Sequence, residues 1–335
     1  MAPNGVDPAI LEALKLDPGT AKMTTHGGSG FASTFKLAGT ATGGDGKQEQ
    51  RAFFIKTGSG ADAQVMFRGE HASLNAIHDA VPGFCPRSHA YGAMAGSPGK
   101  FFLATDFLDL SGSGGGADGT SLAAKLAELH TTPAPQAAAE DGTPQQAMFG
   151  FTVPTCCGST AQENGWRGSW ADFYADNRLR AIARAGTRAN GADAELERAV
   201  EATAARVVPR LLGDGHLRGV VPVVCHGDLW SGNHGVGRIV GGPGHGRPEE
   251  VVFDPSSVYG HSEYDLGIMR MFGGFGAAFW KDYGELVPKS EPVEEFEDRV
   301  ALYELYHHLN HFAIFGGGYR GGAMSIMKRL LSKYS

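Results

Sequence analysis

Hydrophobic positions along the chain recur with two periods, and the changes of period lay out the elements. Between Pro8 and Leu16 the apolar residues Ile10, Leu11, Leu14 and Leu16 share a helical face, and Pro18 closes the segment. A glycine-rich stretch from Thr25 to Phe35 then leads into two runs, Thr34 to Leu37 and Gln50 to Lys56, that read as strands joined by a glycine-rich turn. Helical period resumes at Glu70, with Leu74 and Ile77 on the same face. Lys100 to Leu110 is an apolar strand that runs into the loop Ser111 to Gly119, after which Leu122, Leu126 and Leu129 mark a core-facing helix ending at His130. Trp166, Trp170, Phe173 and Tyr174 form an aromatic stripe of the kind that packs a core, and Gly316 to Arg320 reads as a turn before the last helix. Two later apolar runs, Val221 to Cys225 and Val251 to Phe253, have the length of buried strands. The pattern predicts an α+β chain, with a small antiparallel-sheet unit over 1–108 and a mainly helical unit over 109–335.

Composition narrows the class. The 335 residues are 42% hydrophobic, ample for a packed core, and carry a net charge of −7, so no basic field draws nucleic acid or an anionic membrane. Apolar stretches are too short to cross a bilayer, and the N-terminus has no basic segment followed by an apolar one; a cytoplasmic location is expected. Four cysteines, Cys156 and Cys157 adjacent, read as reduced thiols rather than a disulfide framework. The expected partners are small-molecule or protein substrates, with no nucleic acid and no membrane, and the expected state is a monomer or weak dimer. Glycine clusters at Thr40 to Gly46, Ser111 to Gly119 and Gly241 to Gly246 read as surface loops.

The candidate chemistry lies where strands end. Val221 to Cys225 delivers His226-Gly-Asp228 into a loop with Asn233 five positions after the acid, and Asp254 ends the next strand. That spacing suits a base, Asp228, and two oxygen ligands for Mg²⁺, Asn233 and Asp254, which is the minimal kit for phosphoryl transfer. Upstream, Gly28 and Gly30 let backbone N–H groups approach phosphates. Alternation points Lys56 toward that loop, where a cation can hold phosphates, and Glu70 is the expected partner that aims it. Asp106, Phe107 and Leu108 are the candidate hinge that meets adenine through backbone groups. Trp230, two positions after the base, offers a face to a sugar ring. His307 and His311, four apart, have no third ligand placed beside them and are expected in the core.

The order glycine loop, strand lysine, helix glutamate, Asp-x4-Asn and strand-end aspartate follows the protein-kinase plan. More specific are His226-Gly-Asp-Leu-Trp-Ser-Gly-Asn233, Tyr259-Gly-His-Ser-Glu-Tyr-Asp-Leu266, Trp170-Ala-Asp-Phe-Tyr174 and Leu305-Tyr-His-His-Leu-Asn-His311. With these segments the chain resembles the fructosamine kinases, or ketosamine-3-kinases, within the aminoglycoside-phosphotransferase group. The resemblance implies a two-lobed protein-kinase-like fold and an ATP- and Mg²⁺-dependent kinase acting on the 3-hydroxyl of fructosamines or ribulosamines, free or on glycated proteins, in deglycation. An aminoglycoside- or choline-type kinase and a nucleotide-binding pseudokinase are the alternatives. Asp265 is expected to brace the catalytic loop. The cysteine that many members carry in the glycine loop is absent between His26 and Ser33.

Overall fold

The computed structural model describes residues 5–27, 30, 32–42, 48–110, 119–135, 147–240 and 248–334. Gly28 and most of the three glycine clusters lie outside the described residues. The chain divides into two compact units: Met1–Leu122 with His234–Asp254, and Ala123–Asn233 with Pro255–Ser335.

The first unit is built on a seven-stranded sheet whose pairings are all antiparallel. Its order is Lys22–Thr25, Ser33–Thr42, Gln48–Ser59, Lys100–Asp109, His234–Val240 and Glu249–Val252, with Ser88–Ala93 also paired to Lys100–Asp109. The register sets Lys56 opposite Thr34 on one side and Leu103 on the other. The short helix Pro8–Leu14 packs Ile10, Leu11 and Leu14 against Leu37, Phe53 and Phe102. Asp7 caps it by accepting from the Ala9 N–H at 2.9 Å, and the same carboxylate accepts from Ala95 and Gly96.

The sheet differs from the sequence expectation in two places. The helix carrying Glu70 does not open there; it spans Gly60–Ala80, because Gly60, at φ +83°, turns the chain from strand to helix without a connecting loop. Among its buried positions, which also include Gly69 and Ser73, the series Ala63, Phe67, Glu70, Leu74 and Ile77 holds the three-and-four spacing, so Glu70 lies on the buried face itself. The boundary also falls differently from 108, and the units are not contiguous halves. Phe107, Leu108 and Asp109 pair with Val240, Ile239 and Arg238, which keeps Lys100–Asp109 in the sheet to its end and brings the hairpin 234–254, with Asp254, into the first unit.

The second unit is mainly helical. Trp170–Phe173 runs through a π-helical segment, Tyr174–Arg180, into Ala181–Asn190, and Phe296–Phe315 and Tyr319–Tyr334 pack with it around Trp170, Phe173, Tyr174, Tyr264, Tyr303 and Tyr306. The aromatic stripe is therefore core, except for Trp166, which is 43% exposed. The Trp170 indole N–H donates to the Tyr303 hydroxyl at 2.8 Å, and Tyr174 donates to the Leu302 carbonyl. Strand Val223–Cys225 pairs with Val258–Gly260, and Thr155–Cys157 with Thr160–Gln162. Among the described residues no helix is long and apolar enough to cross a membrane.

Buried polar groups in this unit couple its stability to pH. His261 bonds Tyr303 and Ser290, both at 2.8 Å. Burial, with Arg299 opposing a second positive charge, pushes its imidazole down to about 4, against the pull of Glu263. The unfolded chain protonates this histidine first, so the stability it contributes is present above pH 6.5 and is lost as pH falls toward 4. Denaturant titrations between pH 7 and pH 4.5 are expected to show a slope of up to about 1.4 kcal/mol per pH unit from this group, flattened in His261→Gln. Glu263 and Asp265, both held below the usual carboxylate range, extend the loss at lower pH.

Candidate active site

In the first unit, Lys56 stands between two carboxylates. Its Nζ lies 2.7 Å from Glu70 Oε1 and 2.7 Å from Asp254 Oδ1. Lys56 and Glu70 are buried, and the Asp254 side chain is half exposed. Burial alone would lower the Lys56 ammonium, but Asp254 and Glu70 outweigh it and raise its pKa, so the lysine is a fixed cation. Glu70 is raised by burial and by the charge of Asp254, against the pull of Lys56. Asp254 takes φ +55°, a left-handed conformation uncommon outside glycine, which turns the carboxylate at the end of its strand.

These three residues are among those lining a cavity of about 230 Å³. Phe54, Leu74, Leu108 and Phe253 form its apolar walls, and His26, Gly27 and Thr34 border it from the glycine-rich segment. Thr34 donates to the His26 carbonyl at 2.6 Å, and the His26 ring meets the Phe107 ring edge-on at 4.9 Å, which ties this segment to the sheet. A cavity lined by apolar side chains and a paired cation fits a ligand with a flat base and an anionic tail. Gly30 is not among the lining residues.

The three hinge residues do different things. Asp106 spends its backbone N–H on the Arg87 carbonyl at 2.9 Å, and its carboxylate takes the Arg87 N–H and His89. Its N–H is therefore not offered to a ligand. Phe107 is buried, with Lys36 Nζ 4.1 Å from its ring centre. Leu108 faces the cavity.

In the second unit, strand Val223–Cys225 ends in a tight loop. The Asp265 carboxylate accepts the N–H groups of His226 and Gly227, each at 2.7 Å, and lies 3.1 Å from His130 Nε2, whose Nδ1 bonds the Tyr283 hydroxyl. Asp265 thus braces the loop, as its position in the motif implied. Gly227 is obligatory: it adopts φ +81°, and a Cβ there would lie 2.1 Å from the Ser256 carbonyl oxygen. The loop carries Asp228 out half-buried.

Asn233 closes the loop by donating its Nδ2 to the Asp228 carbonyl at 2.9 Å. Its amide oxygen is then the group able to meet a cation. Trp230 is 39% exposed, its indole lying over Gly232 and 5.8 Å from Phe272. Sequence reasoning missed the groups behind the acid. The Cys157 thiol donates to Asp228 Oδ1 at 3.6 Å, Asn310 donates to Cys157, and His307 lies beside them. No spacing signal links these residues to Asp228.

A carboxylate on a braced loop, an amide five residues on, and a buried lysine held by a helix glutamate and a strand-end aspartate are the parts of a phosphoryl-transfer enzyme. The fructosamine kinase family model matches residues 33–333. Mus musculus ketosamine-3-kinase is 35% identical over 92% of this chain and 95% of its own length. The chloroplastic protein-ribulosamine 3-kinase of Oryza sativa subsp. japonica is 34% identical over 95% of this chain and 85% of its own. Among solved structures, a Thermobifida fusca protein assigned as a fructosamine-3-kinase superposes with a TM-score of 0.71 at 22% identity, covering 98% of this chain and 99% of its own. A thermostable mutant of aminoglycoside phosphotransferase APH(4)-Ia superposes at 0.54 with 14% identity, covering 97% of this chain and 99% of its own. The latter two place the fold in the α+β protein-kinase-like class. With the family pattern running along nearly its whole length, the chain belongs to the fructosamine kinase family.

Proposed function

We propose that this kinase transfers the γ-phosphoryl group of ATP to the 3-hydroxyl of a ketosamine, the sugar adduct formed on lysine amines, and thereby acts in protein deglycation. The observation that carries the reading is Asp228, a half-buried carboxylate on a loop whose two preceding N–H groups are pinned by Asp265. The names of the mouse and rice relatives support the acceptor class.

In this reading Asp228 accepts the acceptor hydroxyl's proton as the oxygen attacks phosphorus. Lys56, aimed by Glu70, holds phosphate oxygens, while Leu108 and its strand neighbour Phe107 flank the base, with Asp106 anchoring the strand. Gly30, and Gly28 outside the described residues, are the glycines proposed to let backbone N–H groups approach the phosphates. Asn233, through its amide oxygen, and Asp254, through its carboxylate, offer hard oxygen donors that would suit Mg²⁺. When bound, the ion neutralises charge on the transferring phosphate. Trp230 presents its exposed indole face to the sugar. The four free cysteines suit a reducing, cytoplasmic setting.

The test is a phosphorylation assay with Mg-ATP and paired ribulose-lysine and fructose-lysine acceptors, with the product's phosphate position read by NMR. Phosphate on O3 of either acceptor is expected; turnover only with an aminoglycoside or choline would overturn the acceptor assignment. Lys56→Met is expected to lower kcat/KM for ATP by about 10²-fold, the scale of losing one charged stabilising donor. An unchanged kcat/KM, with ATP varied at saturating acceptor, would remove Lys56 from the phosphate site.

A further inference from the structure

We propose that Cys157, His307 and Asp228 form a site for a borderline-soft divalent cation, zinc by preference, whose occupation inhibits the enzyme. Cys157 ends one short strand, His307 lies mid-way along the helix Phe296–Phe315, and Asp228 is on the loop after Val223–Cys225. The fold brings one donor atom from each within 4.8 Å of the other two. A tetrahedral zinc site needs its donors about 3.5 Å apart, so side-chain rotation of roughly 1 Å closes the set.

The second observation is His307. Its side chain is fully buried, yet neither ring nitrogen has a hydrogen-bond partner among the described residues. A buried imidazole with both nitrogens unsatisfied is costly, and a metal bond satisfies one of them. Asn310 Oδ1, on the same helix and bonded through its Nδ2 to Cys157, likewise lacks a partner. The donor set of one sulfur, one imidazole nitrogen and one carboxylate oxygen selects zinc over magnesium, which takes oxygen donors and keeps its waters. Three protein ligands leave a fourth position for water.

Binding exchanges the Cys157 S–H bond for a sulfur–metal bond, the proton leaving to solvent, with no change of oxidation state. Asp228 is half-buried and gives the ion its route in. Once the ion holds the Asp228 carboxylate, that group no longer accepts a substrate proton. This consequence rests on the base role proposed for Asp228, whereas the binding itself does not.

Two readouts separate them. In the purified enzyme, Cd²⁺ is expected to give a thiolate-to-metal charge-transfer band that persists in Cys156→Ser and disappears in Cys157→Ser. His307→Gln is expected to weaken Cd²⁺ binding by at least the roughly 10–100-fold that even an outer ligand change produces. In a metal-buffered phosphotransfer assay at saturating Mg-ATP, Zn²⁺ is expected to inhibit. Each variant is referred to its own zinc-free rate, and Cys157→Ser and His307→Gln require correspondingly more zinc. A band that survives Cys157→Ser, or no band in the unsubstituted chain, overturns the site. Cys157-dependent binding without inhibition upholds the site and overturns the base role of Asp228. Circular dichroism of each variant separates lost ligation from lost folding.

Discussion

Asp228→Ala is expected to lower kcat by about 10³-fold or more, within the range attributed to a positioned general base, while ATP affinity stays essentially unchanged. The groups assigned to the nucleotide, Lys56, Glu70 and Asp254, belong to the first unit, and the substitution leaves their ion pairs untouched. Asp228→Asn is the stricter variant. It keeps the shape of the side chain and leaves in place the backbone carbonyl to which Asn233 donates, yet it cannot take a proton. Single-turnover kinetics and calorimetric ATP binding measure the two quantities separately. Turnover surviving in Asp228→Asn would show that proton removal is not this residue's work, and lost ATP binding would show that it acts on the nucleotide instead.

Arg299→Met is expected to destabilise the second unit by about 3–5 kcal/mol, the cost of leaving a buried charge uncompensated. Arg299 is fully buried and meets Glu263 through two bonds, at 2.7 and 3.0 Å. Its remaining donors hold the carbonyls of Ser290 and Pro292, both at 2.7 Å, and Glu263 also accepts the Ser290 N–H. The pair therefore ties helix Phe296–Phe315 to the segment 290–292 and to the start of helix Tyr264–Phe272. Glu263→Gln with Arg299→Met, which removes both charges, is expected to recover part of the loss, because the penalty arises from the orphaned partner. Denaturant unfolding of the three chains checks this: equal stability of Arg299→Met and the unsubstituted chain would mean that solvent reaches the pair.

How far the site could be read in advance depends on the length of chain separating its parts. His226-Gly-Asp228 and Asn233 lie within one loop, so their relation is local and their residue types already imply the Asn233 amide folding back onto the loop. Lys56 and Glu70 are fourteen positions apart on a strand and the helix that follows it, near enough for alternation and helical period to aim one at the other. Asp106 shows the limit of that approach. The two-lobed kinase plan placed it at the hinge, but its N–H is taken by Arg87, a residue nineteen positions away that no periodicity connects to it. The boundary at 108 failed similarly, because pairing of Leu108 with Ile239 is a long-range choice made by the sheet.

The amino-acid sequence by itself determined several of the main elements, the kinase-like order of chemical groups and the identity of the loop that carries Asp228, since each depends on the period of side chains or on spacing within a few turns of chain. Tertiary structure alone decided that the hairpin 234–254 joins the first unit, that Lys56 bonds Asp254 across almost two hundred residues, and that Cys157, His307 and Asn310 gather behind Asp228. The physical reason is that such contacts arise from burial, which is non-directional and gathers polar groups wherever the packed helices and strands leave them. No local pattern along the chain encodes which distant partner a buried thiol or imidazole will meet.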